Sequence, residues 1–368
     1  SINSLYYQNT PGGGGVTNGL MRLTPLASPY NADGTVNQFP NAGQIDGNAI
    51  SPLTLITNKA AILARNRRLR TFNSLYGEVD IIKGLKYRAN IGLDFYQEKG
   101  DNYSGPGTYV NNALTQANST ASIRNTEFYQ YTIENLLIYE KTFAQKHQLG
   151  LTALYSTQKS SSTSSFASAI GVPFDYMQTA DFYQAASVSA GIPGSNYFWE
   201  RGLISFMGRA TYSYDGRYSL TATVRRDGAS VLSPGNQYFT YPAFAAAWNI
   251  TNEKFMSGVT FVNNLKFRAG WGVTASQGIN PYSTLGGLGS AAYNFGQGTA
   301  GQQGAYTVNS LPNSSLKWQS TAQFNFGLDF GVLNNRITGS LEVYNQKTKD
   351  ILLPVSLPPS NGASSTFL

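Results

Sequence analysis

Apolar and polar residues alternate one for one through six segments of this chain. In residues 85–95, Leu85, Tyr87, Ala89, Ile91, Leu93 and Phe95 take one phase, and Lys86, Arg88, Asn90, Gly92 and Asp94 take the other. The same pattern runs through 204–214, 218–225, 265–274, 322–330 and 337–343. Successive side chains of an extended strand point to opposite faces, so period two predicts strands with one apolar face. Four weaker strands fit at about 70–80, 125–140, 147–158 and 238–250. In the last, Phe244, Ala246, Trp248 and Ile250 alternate with Ala243, Ala245 and Ala247, and neither face is polar. About ten strands and no helical periodicity predict an all-β, antiparallel fold.

The connections alternate as well. Ile82-Lys83-Gly84, Phe143-Ala144-Gln145-Lys146, Asp215-Gly216 and Leu333-Asn334-Asn335 are tight turns, and Asp-Gly is a strong hairpin signal. Between them lie long Gly/Ser/Asn/Tyr-rich stretches at about 97–123, 159–200 and 277–313, a shorter one at 227–237 and an intermediate turn at 251–263. Short turns on one side and long loops on the other are the rhythm of a transmembrane β-barrel. No apolar run reaches the roughly 18–20 residues of a spanning helix. Ser1-Ile2-Asn3 opens without the basic and apolar regions of a signal peptide. The competing reading is a soluble β-sandwich or propeller. Sandwich strands are shorter, about 5–6 residues, and one finite core would have to hide ten long apolar faces in a chain that is 13% aromatic.

In a barrel the apolar phase meets lipid and the polar phase lines the lumen. Lys86, Arg88, Arg209, Arg225, Lys266, Arg268, Asp329 and Glu342 are therefore expected to face the lumen. Tyr87, Tyr212, Tyr218, Trp271 and Phe330 are expected to face outward, those near strand ends in aromatic belts.

Composition closes off most chemistry. Of 368 residues none is Cys and one is His, which excludes disulfides, thiolate sites and multi-His metal centres. No metal or cofactor is expected. His147 reads as a solvated turn residue, and Glu78 with Asp80 as acids near a turn rather than a catalytic pair. Gly296-Gln-Gly298-Thr-Ala-Gly301 matches the dinucleotide fingerprint on paper, but no helix pattern follows it. No catalytic residue is assigned, and an enzyme is not expected. The net charge of +7 is modest at this length and does not call for nucleic acid. The densest basic run, Arg65, Arg67, Arg68 and Arg70, would meet lipopolysaccharide phosphates, line the mouth of the lumen or simply be solvated. The best ligand candidates are loop aromatics beside polar groups: Phe174, Tyr176, Tyr183, Tyr197 and Trp199. Such rings can stack on sugars or grip peptide side chains.

The order of segments carries a resemblance. Gly84-Leu85-Lys86-Tyr87-Arg88-Ala89-Asn90-Ile91-Gly92-Leu93-Asp94, Tyr212-Ser213-Tyr214-Asp215-Gly216-Arg217-Tyr218, Arg225-Arg226-Asp227-Gly228 and Asn264-Leu265-Lys266-Phe267-Arg268-Ala269-Gly270-Trp271-Gly272 follow one another. Leu316-Lys317-Trp318-Gln319, Gly327-Leu328-Asp329-Phe330, Asn335-Arg336-Ile337-Thr338-Gly339-Ser340, Lys347-Thr348-Lys349-Asp350-Ile351-Leu352 and Ser360-Asn361-Gly362 continue in order. Over about residues 66–362 this resembles the SusC/RagA family of TonB-dependent outer-membrane transporters. There are two departures: Ala229-Ser230-Val231-Leu232 stands for the family's Ser-Ser-Arg-Phe, and Thr274-Ala275-Ser276-Gln277 for its Thr-Gly-Asn-Gln.

The resemblance implies about ten strands of a roughly 22-stranded barrel in the bacterial outer membrane. Residues 1–68 would be an extracellular loop region leading into the barrel, 69–352 the strands with short periplasmic turns and long outer loops, and 353–368 the start of a further outer loop. It also implies active import of a bulky nutrient, an oligosaccharide or a peptide. TonB would act through an N-terminal plug and TonB box that this chain lacks, and a SusD-like surface lipoprotein would cap the loops. An outer-membrane adhesin or structural barrel, or a soluble β protein without transport, is the alternative.

Overall fold

The computed structural model describes residues 2–9, 20–43, 47, 49–112, 115–190, 196–296 and 302–367. Strands dominate: β1 (Ile2–Asn9), β2 (Ile62–Ile82), β3 (Leu85–Ser104), β4 (Thr120–Phe143), β5 (His147–Ile170), β6 (Ser187–Ser189), β7 (Tyr197–Tyr214), β8 (Tyr218–Ala229), β9 (Tyr238–Asn249), β10 (Val262–Ser276), β11 (Gly287–Asn294), β12 (Gln302–Leu311), β13 (Gln319–Val332), β14 (Ile337–Lys349), β15 (Pro354–Ser356) and β16 (Ser365–Phe367). One sheet has the order β1-β2-β3-β4-β5-β7-β8-β9-β10-β13-β14, with β6 on β5. A second, four-stranded sheet has the order β11-β12-β16-β15. All ten strands expected from the alternation are present, each next to its sequence neighbour except where the β11–β12 excursion intervenes.

Register shows what the alternation means physically. Antiparallel partners share a face. Through β8, β9, β10, β13 and β14 one face carries the rows Tyr218–Trp248–Phe267–Leu328–Leu341, Leu220–Ala246–Ala269–Phe326–Val343 and Ala222–Phe244–Trp271–Phe324–Asn345. The other face carries Thr221–Ala245–Gly270–Asn325–Tyr344 and Ser219–Ala247–Arg268–Gly327–Glu342. Phe324, Phe326, Leu341 and Val343 are 50–71% exposed. A sandwich would bury them; here the apolar phase is left exposed.

The strands outrun the alternation at the long-loop end. β2 begins at Ile62, β3 runs to Ser104, β4 begins at Thr120 and β5 runs to Ile170. Beyond the apolar band both phases become polar, so the periodic signal fades while the ladder continues. Tyr197 and Trp199, read as loop residues, open β7. The 277–313 stretch, read as loop, holds the β11–β12 hairpin. Residues 297–301 of the glycine-rich fingerprint lie outside the described residues.

The chain divides into two compact units. The first comprises 1–73, 94–129 and 161–199, and its buried cluster is Tyr103, Ala121, Ala169 and Val172. The second comprises 74–93, 130–160 and 200–368, and its cluster is Ala229, Val231, Leu232, Ile279, Leu316 and Trp318. The Trp318 indole N–H donates to the Gln237 carbonyl at 2.9 Å. Ala229-Ser230-Val231-Leu232, where the sequence leaves its family pattern, thus serves local packing: three of the four are buried.

At the tight-turn end of the second unit an aromatic belt forms. Tyr214 stacks on Tyr218 and Tyr218 on Trp248. The Tyr218 hydroxyl and the Trp248 indole both donate to Glu253, which holds that carboxyl below the ordinary glutamate range. His147 belongs to the belt too. Its ring stacks on Phe143 at 4.9 Å and its Nδ1 meets the Tyr212 hydroxyl at 2.6 Å. It is a packed ring, not the solvated turn residue expected, because its phase places it beside the aromatic ends of neighbouring strands.

Candidate functional site

The polar face of the second unit is a set of closed charge networks. Arg268 reaches Asp329 with two hydrogen bonds of 2.8 Å and Glu342 with a third of 2.9 Å. Lys266 is the cross-strand partner of Asp329. Arg225 donates to Asp227 at 2.8 Å and to Ser205 at 3.0 Å, and the Tyr241 hydroxyl also donates to Asp227. Lys86 pairs with Glu78 at 3.0 Å, and Arg88 donates to Asn90 and lies over the Tyr76 ring. Arg209 donates to Thr223 at 3.3 Å. All eight charged residues singled out from the alternation therefore stand on the polar phase. Charge-assisted pairs of this kind fix side-chain positions and leave a hydrophilic wall.

On the opposite, apolar phase Gly228 shows how closely neighbouring strands are fitted. It faces Tyr238 across the β8–β9 ladder, and a Cβ there would lie 2.4 Å from the tyrosine ring. The ring covers the glycine backbone, and Arg226 lies over the ring at 5.0 Å.

In the first unit each arginine of the basic run pairs with a carboxylate. Arg65 and Arg67 reach Asp101 at 2.9 and 3.0 Å, Arg70 pairs with Asp94 at 2.7 Å, and Arg68 pairs with Glu98. These arginines remain partly exposed, but each already has a carboxylate, so the run is not a set of cations waiting for phosphate. The run instead rivets β2 to β3.

On the polar phase of the same unit an aromatic ladder crosses the strands. Arg68 lies over the Tyr96 ring at 5.0 Å, Tyr96 stacks on Phe128 at 4.9 Å, and Phe128 meets Trp199 at 6.1 Å. The serines of β5 between them, Ser162 and Ser164, are small and buried, which lets rings from β4 and β7 meet. Trp199 was legible as a candidate; Tyr96 and Phe128 were not. The signal available was an aromatic standing in the polar phase of a strand.

The loop candidates divide. Phe174 and Tyr176 stack on one another at 5.5 Å and remain 57% and 75% exposed, and Tyr183 is 94% exposed. Tyr197 is 40% exposed at the start of β7. Between the first two, Asp175 turns inward. It accepts hydrogen bonds from Tyr103 at 2.7 Å, Asn58 at 2.7 Å and Gln116 at 3.3 Å. Asp175 thus anchors the segment that presents Phe174 and Tyr176. Sequence reasoning missed it because its partners lie 59 to 117 residues away.

These features have close counterparts. Residues 6–367 match the family model described as TonB dependent receptor-like, beta-barrel. The chain is 31% identical to the TonB-dependent receptor P3 of Formosa agariphila over 357 residues, 96% of this chain and 34% of that protein. It is 40% identical to the TonB-dependent receptor SusC of Bacteroides thetaiotaomicron over 164 residues, 42% of this chain and 16% of that one. The solved RagAB peptide transporter superposes with a TM-score of 0.76 at 18% identity, over 92% of this chain and 36% of the transporter chain. The chain spans about a third of the length of P3. With its antiparallel two-faced strands, tight turns at one end and long loops at the other, the chain belongs to the TonB-dependent receptor-like β-barrel family.

Proposed function

We propose that this chain supplies part of the wall and vestibule of a TonB-dependent importer in the bacterial outer membrane, which takes up a bulky nutrient, an oligosaccharide or a peptide. The observation that carries the reading is the aromatic ladder Tyr96–Phe128–Trp199, standing on the polar face beside the Arg68–Glu98 pair. Flat rings interleaved with fixed charges suit a cargo that offers both ring or side-chain faces and hydrogen-bonding groups. The apolar face meets lipid, and the polar residues from Lys86 to Glu342 line the lumen. Further strands of a longer protein close the barrel, since open edges do not persist in hydrocarbon. A plug domain couples the barrel to TonB, and a SusD-like lipoprotein docks on the outer loops, where Phe174, Tyr176 and Tyr183 stand exposed.

The test is uptake by cells carrying the full-length protein as their sole such transporter. Fluorescent oligosaccharide and peptide libraries should enter only when TonB is present. F128A/W199A should lower uptake about tenfold, the scale of one or two lost stacking contacts of roughly 0.5–1.5 kcal/mol each, with normal assembly in the outer membrane. Uptake that persists without TonB would remove the proposal.

A further inference from the structure

The lipid-facing side of the second unit ends in cations that have no carboxylate partner among the described residues. Arg226 lies on the apolar phase of β8, opposite Phe206 on β7 and Thr240 on β9. Lys349 lies on the same phase of β14, opposite Ser320, which in turn faces Ala275. Lys347 stands two residues below it, opposite Ala322. Arg226 and Lys349 lie six residues beyond the Leu220–Ala246–Ala269–Phe326–Val343 row, about 20 Å along the strands. They are therefore level with each other, and four strand spacings separate them, about 19 Å. No acidic residue occupies these positions on β7, β8, β9, β10 or β13. All three cations are exposed. The Arg226 guanidinium contacts the Tyr238 ring and no carboxylate.

This contrasts with the arginines of the basic run and with Arg225, Arg217 and Arg268, each of which has an acid within 3.2 Å. A fold that neutralises so many cations leaves these three open on one face and at one end. The end is that of the long connections, which in a membrane barrel is the outer one. The face is the one that meets lipid. A guanidinium or ammonium at that depth sits at headgroup level, where its complement is a phosphate.

We infer that Arg226, Lys347 and Lys349 form an anchorage for the phosphate groups of outer-leaflet glycolipid, gripping it beside the mouth of the barrel. The inference rests on the proposed outer-membrane orientation. The binding role that the sequence suggested for the Arg65–Arg70 run passes to these three residues, because that run is spent on carboxylates. Tyr238, half exposed over Gly228, offers the adjacent flat surface for a sugar ring.

The full-length protein is reconstituted into phosphatidylethanolamine nanodiscs containing lipopolysaccharide, either native or dephosphorylated with phosphatase. Retained glycolipid is counted by native mass spectrometry, and its effect on Tm is recorded. Wild type should retain native lipopolysaccharide and gain Tm from it, but not the dephosphorylated form. R226Q/K347Q/K349Q should bind roughly a hundredfold more weakly, while K83Q/K254Q/R336Q, three cations removed from the tight-turn end, should bind as wild type.

Equal retention by the first triple variant, or unchanged retention of dephosphorylated lipid, overturns the anchorage. So does an equal Tm gain from inorganic phosphate alone, which would mark a free-anion site. An acidic protein partner as the true occupant would leave glycolipid retention untouched by the triple variant and overturns it likewise. Heat-modifiable gel mobility is read in parallel. Its absence in wild type would defeat the membrane-barrel reading, whereas normal mobility with unaltered glycolipid binding would defeat the anchorage alone.

Discussion

Gly105 has room for a hydrogen and nothing larger. A Cβ there would lie 2.5 Å from an Asp175 carboxylate oxygen and 2.9 Å from the Ala61 methyl, while the Gly105 N–H donates to the Ala61 carbonyl at 2.7 Å. Gly105→Ala must therefore push Asp175 away from Tyr103 and Gln116, leaving buried polar groups short of partners. The expected cost is about 1–3 kcal/mol, felt first in the 172–186 segment. Limited proteolysis should cut that segment faster in G105A, and faster again in D175A, with β7–β10 unaffected. A digestion pattern identical to wild type in both variants would show that Asp175 is not the anchor. None of this could be read from the sequence, where Asp175 is a lone acid between two aromatics. What made Phe174 and Tyr176 visible was ring type, and the structure adds that they are displayed because the residue between them is tied down.

At the scale of the element, the alternation located the ten strands from β2 to β14 of the large sheet but undershot their ends and missed the β11–β12 hairpin. In β5 the apolar phase Leu149, Leu151 and Tyr155 gives way after Thr157 to serines on both faces, and no period survives although hydrogen bonding continues to Ile170. Hydrophobic period therefore reports the width of the apolar band rather than the length of the strand. At the tight-turn end the band's limit lies at the Tyr218–Trp248–Glu253 belt, and this limit is sensitive to acid. The carboxylate of Glu253 accepts from Tyr218 and Trp248, so its folded pKa lies below its unfolded value. A depressed acid stabilises the fold above that value and loses its contribution as pH falls through the folded pKa. Wild type should thus be more stable than E253Q near pH 6, and the gap should shrink steadily as the pH falls through the acid range. Urea unfolding of the reconstituted protein followed by Trp fluorescence reads this. A gap that stays constant across that range would mean that the hydrogen bonds matter and the charge does not.

For the whole molecule, the decisive property is which phase faces outward. Five rows on the apolar face, from Leu265–Phe330–Gly339 to Ala322–Lys347, span about 27 Å along the strands. A barrel tilt of 35–45° reduces this to about 20 Å of height, near the ~25 Å apolar band of membrane barrels. That width was legible from sequence because the apolar phase repeats it on every strand at once, whereas the networks around Asp227, Asp329 and Asp175 depend on single meetings between distant residues. Phe326 and Ala269 face each other in the middle row, and Asn325 and Gly270 face each other on the opposite side one residue away. Phe326→Arg or Ala269→Arg puts a guanidinium at the centre of the band and should cost about 2–4 kcal/mol of membrane folding stability. Asn325→Arg joins Gln323 and Arg268 on the wet face and should cost little. Folding of the full-length protein into lipid vesicles, read by heat-modifiable mobility, separates the two outcomes. If all three variants insert equally well, the rows do not face hydrocarbon, and the polar networks would have to be reread as an ordinary protein surface.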